Sequence, residues 1–162
     1  MTPGEAKLLR IYLDDHQTVL LAGHELVRRM AKRPSDGELA TFLRELLPEL
    51  EDDRRRVIAR IREAGGSPSS VKSGLAWLAE KAGRLKPNGT LTRPSPLSPL
   101  LELEGLHAVL DASRSLWRTL ERTGSSTADY TERAERAERR LAQVEELRLV
   151  AADVALGRRD FN

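Results

Sequence analysis

The stretch LELEGLH, residues 101–107, contains a glutamate and a histidine with the spacing of a metal-ligand pair. Glu104 and His107 are three residues apart, so on a helix both side chains could lie on one face and bind the same iron or manganese ion. The chain has no cysteine, which excludes thiolate ligands, disulfides and cysteine nucleophiles. Any metal chemistry must therefore use histidine and carboxylate side chains.

The direction of these side chains decides between a metal site and a coincidence. A helix advances about 100° per residue, and the apolar residues around Leu106 define the inward direction. Relative to Leu106, Glu104 points about 160° away and His107 about 100° away. Glu104 is therefore expected to face water and His107 to lie on the flank. Glu102, at about −40°, is the carboxylate expected to face the core.

The same angular test selects polar residues on the other predicted helices. Val19, Leu50 and Val144 are taken as the inward directions of the first, second and last long helices. Most residues selected in this way are apolar, as a buried stripe requires. The polar residues predicted to face inward are Asp15, His16, Asp53, Arg54, Glu102 and Arg148.

Position along the bundle predicts which of these residues meet. In a helical hairpin, residues at equal distance from the turn lie side by side, because each residue rises by about 1.5 Å. His16 is therefore expected to contact Asp53. By the same reasoning, Glu102 is expected to contact Arg148.

Two interpretations of this inward set are open. Paired carboxylates and guanidinium groups would form a structural ion-pair layer, since buried charges are tolerated only with partners. This interpretation is favoured. The alternative is a divalent metal site, for iron or manganese, with Asp15, His16, Asp53 and Glu102 as ligands. The inward arginines oppose it, because a cation would have to displace them.

Apolar residues that recur every three to four positions predict an all-α chain, and the breaks carry helix-capping residues. Pro34 ends the first helix, with Ser35 or Asp36 as the cap of the second. Pro48 falls inside the second helix, on its outward side, and predicts a kink. The predicted helices cover residues 3–32, 36–64, 70–85, 98–123 and 128–157, each to within about two residues.

The connections between these helices predict the topology. Short turns join the first two long helices and the last two, so each pair is expected to form an antiparallel hairpin. A long connection with a short fifth helix joins the hairpins. This arrangement resembles the ferritin-like four-helix-bundle superfamily, in particular uncharacterised bacterial members without an intact di-iron ligand set. The resemblance is architectural and covers nearly the whole chain, and residues 1–162 are expected to form one domain.

The resemblance also implies what a metal-binding member would need. Members that act on iron use carboxylates from all four helices together with two E-x-x-H pairs. The last helix here offers no inward carboxylate or histidine by the angular test. A di-iron site is therefore not expected, and iron or manganese binding is kept only as the degenerate form of such a site.

Composition limits the function classes. Charged residues make up 32% of the 162 residues with a net charge of +2, which is typical of a solvated, ion-paired surface. No apolar run approaches the roughly 18 residues of a membrane span, and no signal-peptide core is recognisable, so a soluble cytoplasmic protein is expected. The phosphate-binding loop, dinucleotide glycine fingerprint and nucleophile elbow are all missing, so no catalytic residues or cofactor are predicted.

Two charged stretches suggest surface roles. The segment 71–93 is basic and contains Trp77, so it could contact nucleic acid, although such segments more often cover an acidic flank of their own protein. The TERAERAERR stretch of the last helix pairs glutamates with arginines four residues later, which predicts a solvated face or, as the alternative, a dimer contact. The basic residues of the segment 71–93 are Lys72, Lys81, Arg84, Lys86 and Arg93.

The sequence therefore favours a non-enzymatic interaction or stress-related protein with a structural polar layer. Its partner would be an unidentified protein or a second copy of the chain. The alternatives are a degenerate ferritin-like metal-binding protein and weak nucleic-acid binding through the basic segment.

Overall fold

A computed structural model of the chain describes residues 1–33, 37–67, 95, 97–123 and 128–157. These residues form four long helices, α1 (Pro3–Ala31), α2 (Glu38–Glu63), α3 (Leu97–Arg122) and α4 (Ala128–Leu156), and no strand. The prediction of an all-α bundle is confirmed for this part of the chain, and the four long helices begin and end within about two residues of their predicted bounds. The predicted short helix at 70–85 lies outside the described residues.

The start of α1 is fixed by its own side chains. The Thr2 hydroxyl accepts a hydrogen bond from the Glu5 amide (3.2 Å), and the Glu5 carboxylate accepts one from the Thr2 amide (2.6 Å). This reciprocal pair satisfies amides that the helix leaves unbonded. Pro3 occupies the first helical position, where no amide hydrogen is needed.

The second helix begins at Glu38, two residues after its predicted start. Gly37 precedes it with φ of 82°, a left-handed conformation that favours glycine. Ser35 and Asp36, the predicted caps, lie outside the described residues. Pro48 is exposed within α2, as predicted, and the helix continues through it.

Every neighbouring pair of helices in the bundle is antiparallel. α1 packs against α2 and α3, and α4 packs against α3 and α2, so α2 and α3 occupy opposite corners. Along the α1/α3 face, Gly23 lies beside Val109 and Arg29 pairs with Glu102, which fixes opposite chain directions. Ion pairs fix the same relation between α2 and α4. Consequently α2 and α3 run parallel, and the end of α2 is at the opposite end of the bundle from the start of α3.

The core is mainly aliphatic, as the low aromatic content suggests. Among the described residues the buried aromatic side chains are Phe42, Trp117 and Tyr130, and the fully buried rings of Trp117 and Tyr130 stack with centroids 5.7 Å apart. All four helices share this one core. Representative fully buried residues are Leu20 in α1, Leu50 in α2, Leu106 in α3 and Val144 in α4.

Large apolar side chains also face solvent where helices project. Leu8 and Ile11 of α1 are both exposed. The Arg10 guanidinium donates to the Ala64 carbonyl (2.9 Å), so α2 ends level with Arg10 and the first turns of α1 extend past it. None of the helices in the described ranges is apolar over a length that would span a bilayer. Four further exposed side chains lie near the end of α4, namely Leu149, Val150, Val154 and Leu156.

Candidate functional site

The most enclosed charged group among the described residues is the Asp53 carboxylate of α2, whose residue is 5% exposed. One of its oxygens accepts hydrogen bonds from the guanidinium groups of Arg133 and Arg136 of α4, each at 2.7 Å. The other oxygen accepts from the Ser113 hydroxyl (3.2 Å) and the Trp117 indole N–H (3.3 Å) of α3. We call these five residues the Asp53 cluster. It joins three helices at one carboxylate.

Further ion pairs and hydrogen bonds connect the Asp53 cluster to neighbouring charged residues. Arg133 also donates to Asp129 (2.7 Å) and to Asp52 (2.7 Å). Arg56 donates to Asp129 (2.9 Å) and to the Tyr130 hydroxyl (3.1 Å). Charge therefore alternates between acid and base across the space between α2 and α4, so no guanidinium here lacks a carboxylate.

The same pattern continues further along α2 and α4. Arg140 donates two hydrogen bonds to Glu49 (2.9 and 2.6 Å) and one to Glu45 (3.1 Å). Its guanidinium also lies over the Phe42 ring, 5.9 Å from the centroid. We call this run of contacts the α2/α4 seam, made by Glu45, Glu49, Asp52, Asp53, Arg133, Arg136 and Arg140.

Helix periodicity explains why these side chains meet. Arg133, Arg136 and Arg140 are spaced by three and four residues, so they form one stripe on α4. Their acidic partners on α2 follow similar steps. The backbones of α2 and α4 lie further apart than those of the other neighbouring pairs, and long arginine side chains span that gap.

Burial and ion pairing shift the pKa values of these groups in opposite directions. Burial raises the pKa of the Asp53 carboxyl above its usual value, and the attraction of Arg136 and Arg133 only partly offsets this effect. Burial alone would lower the pKa of Arg133, but its hydrogen bonds with Asp53, Asp129 and Asp52 outweigh burial and raise it. Arg133 is therefore charged at any physiological pH.

The contacts of the Asp53 cluster favour a structural role over a catalytic one. Both oxygens of Asp53 already accept two hydrogen bonds each, so the carboxylate has little capacity left for a ligand. Two guanidinium groups also stand where a cation would approach it. Such a group fixes the relative positions of helices, because each partner has only one good geometry.

The predicted contact between His16 and Asp53 is wrong. The His16 imidazole is half-buried, and its Nδ1 donates to the Tyr12 carbonyl (3.0 Å) on the same helix. Asp15, predicted to face inward, is exposed. The inward direction of α1 runs through Leu20, roughly 100° from the Val19 direction assumed from the sequence, which rotates Asp15 into solvent.

The predicted contact between Glu102 and Arg148 is also wrong. Glu102 is buried as predicted, but it pairs with Arg29 (3.5 Å) and Arg33 near the end of α1. Arg148 instead donates two hydrogen bonds to Glu145, both at 2.7 Å. The hairpin argument considered only the partner helix within each hairpin, whereas Glu102 faces α1 of the other hairpin.

The remaining candidates do not converge on one centre. Arg54 is half-buried, and its Nε has no hydrogen-bond partner among the described residues. Glu104 is exposed and His107 half-buried, in agreement with the angular test. In the described part of the chain, no three histidine or carboxylate side chains are grouped closely enough to hold a metal ion. The basic segment 71–93 lies outside that part, so nucleic-acid binding stays a prediction.

Sequence reasoning missed the arginines that bind Asp53, although a signal for them was available. With Val144 as the inward direction of α4, Arg133 lies at about −20°, Arg140 at about −40° and Arg136 at about −80°. All three thus pass or approach the same angular test that selected Arg148. The pairing pattern of TERAERAERR hid them, because it assigned Arg136 to a solvated ion pair.

The Asp53 cluster draws its side chains from three helices of a bundle, and a helical bundle by itself does not define a function. No protein-family model, curated protein or solved structure matches this chain.

Proposed function

We propose that this chain is a cytoplasmic, non-enzymatic interaction or stress-related protein, in which the α2/α4 seam is structural and holds the helices in register. The observation that carries the proposal is the environment of Asp53. Its carboxylate is bound by Arg133 and Arg136 at 2.7 Å each, so the buried acid is balanced by guanidinium groups. A balanced, enclosed carboxylate neither transfers protons readily nor attracts a cation.

We further propose a ferritin-like topology for the bundle. Its support is the parallel, diagonal placement of α2 and α3, which belong to different antiparallel hairpins. Since these helices meet the connection at opposite ends of the bundle, residues 64–96 must cross the bundle's length. One long crossover between two hairpins is the connection typical of ferritin-like folds.

The exposed end of α4 supports an interaction role. Leu149 and Leu156 are 51% and 69% exposed, and their separation of seven residues puts them on one face. Contiguous exposed apolar side chains commonly mark protein contacts. A partner surface with complementary apolar side chains would bury this face.

Metal analysis tests the structural role of the seam. Purified protein, Asp53→Ala and the control Glu51→Ala, a change at an exposed position of α2, are dialysed to equilibrium with iron, manganese and zinc. We expect no stoichiometric retention by any of the three proteins. Retention of one ion per chain by the unchanged protein and by Glu51→Ala, but not by folded Asp53→Ala, would replace our proposal with metal binding.

Photocrosslinking in cells tests the interaction role. A photoreactive residue is placed at Leu149 or Leu156, and at Ala108, an exposed position of α3, as the control. We expect the same partner at both leucine positions but not at Ala108, and its binding to be reproduced with purified components. Products no different from those of the control would contradict an interaction through this face.

A further inference from the structure

The last turns of α4 carry an apolar stripe on the side that faces α3. Leu149, Ala152 and Leu156 are spaced by three and four residues, so they lie on one side of the helix. Leu149 and Leu156 are exposed and Ala152 is half-buried. Glu145 lies one turn before Leu149 on the same side. From Glu145 to Leu156 the stripe extends over about 17 Å, which is three helical turns.

The first residue of α3 lies beside this stripe. Arg148 is 3.9 Å from Glu104, and this contact sets the level at which the antiparallel helices α3 and α4 meet. Leu97 precedes Glu104 by two turns, so it lies on the same side of α3 and level with the last turn of α4. Leu97 is itself exposed. We call the resulting surface the α3/α4 apolar face, made by Leu97, Leu149, Ala152 and Leu156.

The rim of the α3/α4 apolar face is negatively charged. Its charged side chains in the described part of the chain are four carboxylates and one guanidinium, a net charge of −3. The guanidinium of Arg148 already donates two hydrogen bonds to Glu145, so it adds little free positive charge. These rim residues are Glu104, Glu145, Glu146, Arg148 and Asp153.

The arginines at the end of α1 do not neutralise this rim. Arg29 and Arg33 pair with Glu102, which faces α1. Glu104 instead faces α4, where it lies near Arg148. The two arginines are therefore on the other side of α3 from the apolar face. A partner with positive charge fits the rim, because like charges across an interface cost binding free energy.

Building on the interaction role proposed above, we propose that the α3/α4 apolar face binds an amphipathic helix of another protein whose apolar stripe is flanked by lysine or arginine. Two adjacent helices form a groove that accepts a third helix through apolar side chains at three- and four-residue spacing. The stripe on α4 has the length of about three turns of such a helix. Its flanking cations then meet the carboxylates of the rim.

The charge of the rim favours this partner over two other occupants. In a two-fold contact between two copies of the chain, the face would meet itself. Glu146 and Asp153 of each copy would then approach the carboxylates of the other. An anionic membrane surface would be repelled by the same carboxylates. A basic amphipathic helix is the occupant that matches both the apolar stripe and its rim.

Synthetic peptides of about 18 residues, or five helical turns, test this specificity. Three peptides share one stripe of leucines and carry mainly lysine, glutamine or glutamate elsewhere, and a fourth is the lysine peptide with its leucines scrambled. Fluorescence anisotropy measures their binding to the purified protein. We expect the lysine peptide to bind at least about tenfold more tightly than the glutamate and scrambled peptides, with a smaller charge preference at high salt. Equal affinities for the lysine and glutamate peptides overturn the proposal.

Substitutions locate the binding surface. The double variant Leu149→Gln, Leu156→Gln should weaken binding of the lysine peptide at least about tenfold, and Glu146→Gln with Asp153→Asn should weaken it roughly threefold or more. Val154→Gln is the matched control, because Val154 is exposed on the other side of α4 and its change should leave binding unaltered. Circular dichroism checks that each variant is folded. Equal losses in the leucine variant and the control overturn the proposal.

Two further outcomes assign the face to another occupant. Sedimentation velocity could show dimers that disappear in the double leucine variant, which would assign the face to a second copy of the chain. Phosphatidylserine vesicles could bind the unchanged protein but not that variant, which would assign the face to a membrane. Either result overturns the proposal.

The photocrosslinking experiment reports separately on the interaction role. A partner crosslinked at Leu149, with no preference among the peptides, would keep the interaction role and remove the basic helix. Selective binding of the lysine peptide, with no crosslinked partner in cells, would keep the specificity of the face and contradict the interaction role.

Discussion

Removal of the Asp53 carboxylate should strand two guanidinium groups inside the bundle. Asp53→Ala is expected to lower the free energy of unfolding by about 3 to 5 kcal/mol, the cost of breaking a buried ion pair from one side. Glu51→Ala, at an exposed position two residues earlier, should change it by less than about 0.5 kcal/mol. Urea denaturation measures both values. A similar, small change for both variants would show that Asp53 is not the centre of a network.

A fall in pH should change the contributions of Asp53 and Asp129 to folding stability in opposite directions. Burial alone would raise the pKa of Asp129, but hydrogen bonds from Arg56 and Arg133 outweigh burial and lower it. The Asp129 carboxylate therefore stabilises the folded protein at pH values above the pKa that this group has in the unfolded chain. This stabilisation is lost as the pH falls through the pKa of Asp129 in the folded protein. The pKa of Asp53 is raised, so its contribution is complete below the unfolded pKa and is lost as pH rises through the folded pKa.

Two asparagine variants separate these effects. Between pH 7 and about pH 3, the stability lost by Asp129→Asn relative to the unchanged protein should shrink as pH falls. The stability lost by Asp53→Asn should instead grow over the same range. The Asp129 effect should stay below about 1 kcal/mol, since that side chain is partly exposed. Denaturant titrations at several pH values measure both, and parallel trends would contradict the assignment of the two carboxyls.

Asp53 shows how far single residues can be predicted from this sequence. Its inward direction followed from the apolar residues of its own helix, which are local in sequence. Its partners did not follow, because Arg133 and Arg136 lie on α4, about eighty residues away, and the heights of the two hairpins depend on packing between them. His16 was predicted as the partner because it faces inward by the angular test and lies at the same distance from the hairpin turn as Asp53, an argument that considers only one hairpin.

The contact between α1 and α3 depends on a glycine. A Cβ at Gly23 would overlap with the Val109 side chain, whereas one at Gly105 would lie 3.5 Å from Leu26, an ordinary contact. Gly23→Ala should therefore destabilise the protein by about 1 to 3 kcal/mol through overpacking. Gly105→Ala, on the same helix pair, should stabilise it by about 0.5 to 1 kcal/mol, as expected inside a helix.

A double mutant shows whether the overlap is the cause. Val109→Ala creates space at the same point, so Gly23→Ala should be less destabilising in that background than in the unchanged protein, with a coupling of at least about 0.5 kcal/mol. Thermal and urea unfolding of the four proteins measure this coupling. If the two effects simply add, the close approach of α1 and α3 at Gly23 is not the source of the loss.

The bounds of the helices were predictable from the sequence because capping signals are local. The face that each helix buries was not always predictable. The start of α1 is encoded in Thr2, Pro3 and Glu5, and the end of α4 in Gly157. α1, however, carries apolar residues on two sides, and Val19 lies on the side that is only partly buried. Only the positions of α2 and α3 decide which side becomes the core, and the sequence of α1 does not contain that information.

Two of the helix contacts in the bundle differ in character: α1 and α3 pack closely through apolar side chains, whereas α2 and α4 lie further apart and are connected by ion pairs. α1 and α3 approach closely at Gly23, while α2 and α4 are joined mainly by the α2/α4 seam. Aliphatic stripes tolerate small shifts along a helix, but a bidentate pair such as Arg140 with Glu49 does not. We therefore propose that apolar burial supplies most of the stability and that the seam selects one alignment of the two hairpins.

The parallel arrangement of α2 and α3 sets a minimum length for the connection between them. The chain must travel the length of a helix, about 39 Å, from the end of α2 to the start of α3. Deletion of residues 70–85 leaves a connection with an extended reach of more than about 50 Å, so the bundle should still fold as before. Deletion of 70–93 leaves only residues 64–69 and 94–96, which reach about 33 Å and cannot close the same topology.

Circular dichroism, size exclusion and urea unfolding distinguish the two deletions. The shorter deletion should keep a cooperative unfolding transition, and it should elute from the size-exclusion column as a species of the same oligomeric state as the parent protein. The longer deletion should unfold, or exchange hairpins between chains and elute at a larger size. If the longer deletion instead keeps the parent's size and cooperativity, α2 and α3 cannot be connected across the length of the bundle, and a ferritin-like crossover has to be abandoned.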